Sequence, residues 1–268
     1  MSRLDGRAVV ISGGARGQGR QHAVTLAQHG ADIAIIDAPT GLQTVPYPLG
    51  TLEDMTETVK LVEAEGRRCL AFQADVRDHE AMAEIAAEVF NTFGRIDIAL
   101  ANAGIASGGG SALDLTVEAW REVIDVNLSG TWYFCQALIP YIIRGGRGGS
   151  VVITSSVAGL RGGPGWVHYT ASKHAVVGLM RALGHELAPH NIRINTVHPT
   201  GVATPMIVNP WFQALAARSP ELKRTTNLLD VDLLDPVDIS NAIRWLVSDE
   251  ARYITGVTMP VDAGTLVR

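Results

Sequence analysis

The sequence predicts an α/β protein: one doubly wound parallel sheet of seven strands with helices on both faces. Short runs rich in β-branched residues alternate with amphipathic helical stretches along the chain, which is the rhythm of βαβ units. The first of these runs leads straight into a turn holding Gly13, Gly14, Gly17 and Gly19, followed by a helical pattern; strand, glycine turn and helix make up a phosphate-binding unit. The residues able to carry chemistry recur just past the ends of later runs, where ligands sit on such sheets. With 268 residues the chain is expected to form one domain that can bury a sizeable core.

The first strand is expected over 8–11 and its helix over 20–29. Between them Gly13 would permit the tight turn, Gly17 would let the backbone approach a pyrophosphate, and Gly19 would let the helix pack on the strand. Ala15, Arg16 and Gln18 share this turn. The second strand, 32–36, ends in Asp37. A carboxylate at that tip can accept both hydroxyls of an adenosine ribose and repels a 2′-phosphate. Arg16 pulls the other way, as a cation that could meet such a phosphate, but the position of Asp37 favours NAD over NADP. The alternative role for Asp37 is a helix N-cap with no ligand.

Residues 38–51 break the rhythm. Fourteen residues, among them Pro39, Pro46, Tyr47 and Pro48, stand where a strand-to-helix connection usually takes about 2 to 6. They are too apolar for disorder, and they leave from the ribose end of the expected site, so an inserted loop covering it is expected. After a helix at 52–65 come a third strand, 68–74, ending in Asp75 and Val76, a helix at 80–93, and a fourth strand, 96–101, running into Asn102, Ala103 and Gly104. A largely helical stretch, 117–143, carries Asn127 among apolar neighbours. The fifth strand is expected at 150–156, a long helix at 169–189 and the sixth strand at 192–197. Residues 204–235 look irregular and apolar in their first part, as a substrate lid would be. A helix at 236–247 and a seventh strand at 256–261 close the chain.

Tyr169 and Lys173 stand four residues apart at the start of the long helix and so share a face. A free phenol titrates near pH ~10, and bringing it to ~7 takes roughly 4 kcal/mol. One cation about 4 Å away, at an effective dielectric of about 20, supplies that much, so the pair is expected to act as an activated general base. Taken alone, such a pair is more often an ordinary surface contact.

Composition narrows the partners. Net charge is −5 with 18% charged residues and no Lys or Arg run, so neither nucleic acid nor an acidic membrane is expected. Cys69 and Cys135 form no CxxC pair and the eight histidines no HxxxH pair, so no metal site is expected and both thiols should be reduced. The first seven residues lack the apolar core of a signal peptide, and no apolar run reaches membrane-spanning length. A cytoplasmic, unprocessed protein follows as the expectation.

Gly13, Gly17 and Gly19, then Asp75, Asn102 with Ala103 and Gly104, Asn127, Ser156, Tyr169 with Lys173, and the closing residues Tyr253, Ile254, Thr255, Gly256, Asp262, Ala263 and Gly264 together resemble a classical short-chain dehydrogenase/reductase. The resemblance covers nearly the whole chain, and Ser156 precedes Tyr169 by thirteen residues, as that family requires. It implies a Rossmann fold, a nicotinamide cofactor with Asp75 and Val76 on its adenine side, and a reaction at a CH–OH group. Tyr169 would take the hydroxyl proton of a secondary alcohol while hydride leaves the same carbon. Lys173 would lower the phenol's pKa and hold the nicotinamide ribose, and Ser156 would fix the substrate oxygen. Asn127 would anchor a water joining Lys173 to solvent, or would merely satisfy a helix bend.

Pro199, Thr200 and Gly201 stand where the family has Pro-Gly, so the backbone around Val202 and Thr204, beside the nicotinamide, could take another path. The insertion and its flanks (15–20 and 44–49) resemble a narrower subgroup, the carveol-dehydrogenase-like, mycofactocin-associated dehydrogenases. That implies NAD held tightly and electrons passed to a dedicated redox carrier.

The substrate pocket is expected between Gly108, Gly109 and Gly110, Trp166, and residues 206–215. Met206, Ile207, Val208, Trp211 and Phe212 would be its apolar walls, suiting an alicyclic or terpenoid alcohol; core or oligomer contact is the other role open to Trp211 and Phe212. The small and apolar residues of 117–143 and 169–189 predict a homo-oligomer, a tetramer by the resemblance. Two rival functions stay open: a 3-oxoacyl-type reductase with freely exchanging cofactor, and a catalytically silent NAD-binding regulator.

Overall fold

The computed structural model describes residues 4–38, 42–108, 110–218 and 227–268. Pro39, Gly109, residues 1–3 and the middle of the 204–235 stretch fall outside them. The described chain forms one parallel sheet from β1 (Ala8–Ser12), β2 (Asp32–Asp37), β3 (Cys69–Gln73), β4 (Ile98–Ala101), β5 (Gly149–Thr154), β6 (Ile192–Pro199) and β7 (Thr258–Val261), in the order β3-β2-β1-β4-β5-β6-β7. The chain moves outward from β1 to β3 and then returns to place β4 against the other side of β1. This reversal opens a crevice at the carboxyl ends of β1 and β4.

Two hydrophobic layers hold the sheet because successive strand residues point to opposite faces. On one face Val10, Ala34, Ile36, Ala99, Val151 and Ile194 pack with residues from α3 (His79–Phe93), α5 (Thr131–Gly145) and α6 (Val167–Leu187). On the other, Val9, Ile11, Ile33, Ile35, Leu100 and Val152 meet α1 (Gly17–Gln28), α2 (Leu52–Ala64) and α8 (Pro236–Val247). A sheet covered on both faces needs unbroken apolar strands, which is how the inner strands read. Each large side chain buried this way contributes roughly 1.5–3 kcal/mol. No described helix is long and apolar enough to cross a membrane.

Three elements depart from the expectations. The first helix starts at Gly17, not at residue 20, because the glycine turn ends in an extended Arg16 that lets the helix begin at once. The stretch 117–143 is not one α-helix: α4 (Val117–Ile124) passes into a π-helical turn, Asp125–Gly130, before α5. And 204–235 is not wholly irregular, since Pro210–Arg218 forms α7. Pro210 at its start and the run Ala214, Leu215, Ala216 and Ala217 are helix-favouring signals that the apolar character of the segment hid. Elsewhere the strands and helices occur as expected, with ends shifted by a few residues.

Candidate active site

The crevice holds two adjoining cavities. The smaller, about 170 Å³, is lined by the glycine turn and by Asp37, Asp75, Val76, Asn102, Ala103 and Gly104. Gly13 has φ +68°, and a Cβ on Gly19 would stand 1.9 Å from the Gly13 carbonyl oxygen, so turn and helix can approach this closely only without side chains. Helix α1 has neither a side-chain N-cap nor an acidic residue in its first turn. Its first N–H groups thus remain donors, the arrangement that accepts a phosphate. Gln18 lines both cavities, and its buried Oε1 has no partner.

Asp37 is locked as an acceptor: the amides of Ala15 (2.8 Å) and Ala38 (2.9 Å) each donate to one of its oxygens. Burial pushes its carboxyl up, and those two bonds pull it back. It is not a helix cap, since Thr51 caps α2 in a reciprocal capping box with Asp54. The Arg16 guanidinium donates to the Pro48 carbonyl; burial lowers its pKa while Asp54 and Asp37 raise it. The cation is therefore tied to the insertion. The Asp75 carboxylate is engaged by the backbone and guanidinium of Arg77. The Asn102 amide donates to the carbonyls of Ser12 and Gly13, so its side chain braces the turn. Uncapped amides, a fixed carboxylate at the tip of β2 and an unpartnered buried amide oxygen between the cavities fit a dinucleotide.

The insertion is fastened rather than merely stiff. Glu122 of α4 accepts from the amides of Gln43 and Thr44, both at 2.9 Å, and from the Thr44 hydroxyl. Tyr47 Oη accepts from the amide of Ala106 at 2.9 Å, and a Cβ on Gly50 would lie 3.0 Å from that of Ala15. Neither Glu122 nor the inward course of Tyr47 was legible in the sequence: Glu122 sits in a helix remote from the loop, and a tyrosine between two prolines gives no sign of which way it points.

The larger cavity, about 380 Å³, brings Ser156, Tyr169 and Lys173 together with Trp166, Met206, Ile207, Trp211 and Phe212, and is also lined by Pro199, Thr200, Gly201, Val202 and Thr204. Its size suits a small organic ligand. The Ser156 oxygen accepts from the Ala158 amide at 3.1 Å, leaving its own hydrogen to donate elsewhere. Trp166 stacks on Phe212 and meets Tyr169 edge-on, with centroids 6.4 and 6.2 Å apart. Three expected wall positions, Val208, Gly108 and Gly110, are corrected, Gly110 standing in open space away from the cavity, while Gly109 lies outside the described residues. Val208 is 56% exposed, because α7 turns the neighbouring Trp211 and Phe212 inward in its place. Gly108 packs against the Gly165 carbonyl and His168 rather than lining the cavity, while the nearby Ala106 does line it.

In the protein alone, burial works against the expected activation of the phenol. Lys173 Nζ donates to the Thr154 carbonyl at 2.8 Å and lies 5.6 Å from the Tyr169 ring centroid. Burial pushes the Tyr169 phenol up, the Ser156 hydroxyl pulling against it. Burial likewise pushes Lys173 down to about 8. Desolvation thus penalises both charged forms. A Cβ on Gly104 would stand 3.2 Å from Lys173 Nζ and 3.4 Å from Asn127 Oδ1, so a side chain there would crowd both. Asn127 sits in the π turn. Its Oδ1 accepts from the Ile105 amide (2.8 Å), and its Nδ2 donates to the Ile105 carbonyl (2.9 Å) and to Ser172 Oγ. Its side chain thus clamps the segment after β4 onto α6. His198, unremarked in the sequence, supports Ser156 from β6: its Nδ1 is 2.7 Å from the Ser156 carbonyl and its Nε2 is 2.8 Å from Thr196 Oγ1.

The depressed Lys173 has a measurable consequence. Between about 8 and its ordinary 10.5 the unfolded chain keeps the proton that the folded chain has lost, so this group makes the dinucleotide-free protein more stable as pH rises through that window. The buried thiols Cys69 and Cys135, each pushed up from 9.0 to about 12, oppose this above 9.0, and the raised Tyr47 and Tyr169 oppose it above 10.0, so the lysine acts unopposed by them only between about 8 and 9.0. Urea midpoints at two pH values inside that narrower window should rise in the wild type, and the rise should shrink in Lys173→Met.

A family model described as Enoyl-(Acyl carrier protein) reductase matches residues 13–265. A (-)-trans-carveol dehydrogenase of Rhodococcus erythropolis is 46% identical, covering 100% of both chains. Among solved structures, a carveol dehydrogenase from Mycobacterium avium in complex with NAD superposes with a TM-score of 0.97 at 44% identity over 100% of both chains. A short chain dehydrogenase from Mycobacterium paratuberculosis bound to NAD does so with 0.95 at 43%, over 99% of this chain and 100% of that one.

Proposed function

The chain belongs to the short-chain dehydrogenase/reductase family, and from that premise we propose that it is an NAD-dependent oxidoreductase interconverting a hydrophobic, alicyclic or terpenoid-like secondary alcohol and its ketone. One observation carries this: Ser156, Tyr169 and Lys173 converge on a cavity whose other walls are Trp166, Met206, Ile207, Trp211 and Phe212. The relatives named carveol dehydrogenase support the substrate class. Those solved with NAD support the cofactor, as does Asp37, whose carboxylate would meet a 2′-phosphate at close range. Asp37 likewise argues against a 3-oxoacyl-type reductase drawing on NADPH.

When bound, the dinucleotide supplies the hydride acceptor or donor; the chain supplies the rest. Ser156 donates to the substrate oxygen, a contact whose loss typically costs about 3 kcal/mol. Tyr169 holds or receives the hydroxyl proton at Oη. Lys173, hydrogen-bonded to Thr154, offers its charge to the phenol and its remaining donors to a ribose. Asn127, clamped to Ile105 and Ser172, fixes the backbone beside Lys173. Gly13, Gly17 and Gly19 receive the pyrophosphate, and the aromatic walls exclude water.

The chain acts as a single domain, with its insertion serving as a cover for the adenosine half. The fastening of that cover supports a cofactor that is retained through turnover and reoxidised in place by an outside redox carrier, as in the mycofactocin-associated enzymes. Helix α6 turns Ala171, Ala175, Gly178 and Ala182 outward, α4 and α5 leave Trp120 and Trp132 40% and 43% exposed, and these faces pair in a homotetramer. A monomer in sedimentation would refute that assembly. The functional test is to denature the purified protein, quantify released nucleotide, and compare turnover of cyclic alcohols with free NAD against turnover with an artificial acceptor. Released NAD and acceptor-dependent turnover are expected; an empty site with brisk turnover on free NAD would overturn retention, and no oxidation of any alcohol would overturn the substrate class.

A further inference from the structure

Tyr47 links the two cavities. It belongs to the insertion, is 7% exposed and lines the smaller cavity. Its two partners, Ala106 and Trp211, line the larger one and not the smaller. The hydroxyl takes the Ala106 amide at 2.9 Å, and the ring stands 6.3 Å from that of Trp211. Trp211 meets Trp166 at 6.3 Å, and Trp166 meets Tyr169 at 6.2 Å. An unbroken series of ring contacts therefore runs from the loop over the dinucleotide site to the phenol at the other end of the crevice.

We propose that Tyr47 is a positioning residue for the substrate wall, a latch through which the insertion holds Trp211 in place, so that the dinucleotide cover and the substrate pocket close as one unit. This rests on the dinucleotide and alcohol sites proposed above. Release of the dinucleotide requires residues 42–51 to lift. Lifting strips the Ala106 amide of its acceptor and Trp211 of its neighbour, and so opens the substrate wall. Conversely, a ligand packed against Trp211 and Trp166 favours the closed latch, and the two affinities must strengthen each other by the same factor.

The test measures dinucleotide affinity by NADH fluorescence on protein first stripped of bound nucleotide, and KM for an accepted alcohol with an artificial acceptor, in the wild type, Tyr47→Phe, Tyr47→Ala, Trp211→Ala and the double variant Tyr47→Ala with Trp211→Ala. An aromatic contact of this kind is expected to be worth about threefold to tenfold in affinity. Trp211→Ala should weaken NADH by about that factor, although it lies outside the dinucleotide cavity. The double variant should bind NADH no more weakly than Tyr47→Ala alone. Tyr47→Ala should raise KM more than it lowers kcat, and Tyr47→Phe, which keeps the ring, should fall between. Melting temperatures separate these effects from general unfolding. The latch is overturned if Trp211→Ala leaves NADH affinity unchanged, or if the double variant shows the product of the two single losses. If no alcohol is turned over, the substrate assignment fails while the NADH arms still decide the latch; if the wild type stripped of nucleotide binds no NADH, both fall together.

Discussion

Tyr169→Phe is expected to abolish turnover, with a loss of about 10²–10⁴-fold, the usual worth of a positioned acid or base, while dinucleotide affinity stays close to wild type. The substitution removes only an oxygen. The ring keeps its edge-on contact with Trp166, and Lys173 stays where it is because its hydrogen bond goes to the Thr154 carbonyl and not to the phenol. What disappears is the hydroxyl proposed to exchange a proton with the substrate beside Ser156. Steady-state rates with an accepted alcohol, set against NADH titration of the same protein after its bound nucleotide is stripped, give the two numbers. Substantial residual turnover would mean that another group supplies the base.

Asp37→Asn is expected to shift the preference between NAD and NADP by about 10²–10³-fold toward NADP. Two like charges about 4 Å apart at an effective dielectric of about 20 repel by roughly 4 kcal/mol, and the substitution removes one of them while keeping its shape. Arg16 limits the gain: tied to the Pro48 carbonyl, it is not free to swing onto a 2′-phosphate. Folding should suffer as well. Asn has one acceptor oxygen where Asp37 serves both the Ala15 and Ala38 amides, and a buried donor left without an acceptor costs about 1–3 kcal/mol. Titration of nucleotide-stripped protein with the two cofactors, and a melting curve, read both effects. An unchanged cofactor ratio would show that the Asp37 charge is not what selects.

The parts of the molecule legible in the sequence were those set by local rules. Apolar runs and turns located the seven strands, and the glycine spacing located the turn at Gly13 to within its conformation. The pairing of Tyr169 with Lys173 on one helix face needed only the helical repeat. What stayed hidden depends on contacts between distant segments. Glu122 receives the insertion across 78 positions of sequence at Thr44, and no periodicity reports such a contact. His198 reads as one more strand residue until β6 places it beneath the Ser156 carbonyl. The desolvation of Tyr169 and Lys173 is also collective: pair spacing places them on one face but does not report how deeply both are buried. Helix α7 was missed for another reason, because aromatic and apolar residues beside proline look alike in a lid and in a short helix.

The π-helical turn at Asp125–Gly130 makes this part of the chain sensitive to counting. A π turn holds one more residue than an α turn, and each residue added to or taken from a helix rotates everything beyond it by about 100°. Asn127 can reach back to Ile105 while Phe134, Leu138 and Ile142 still face the sheet because the surplus residue is absorbed between them. A gene lacking a single codon here would keep its reading frame and nearly all of its composition, and could spell an unbroken, regular helix. Yet that more regular helix would force a choice between seating the amide and burying the apolar stripe. Deletions in this segment should therefore be far more harmful than conservative substitutions at the same positions.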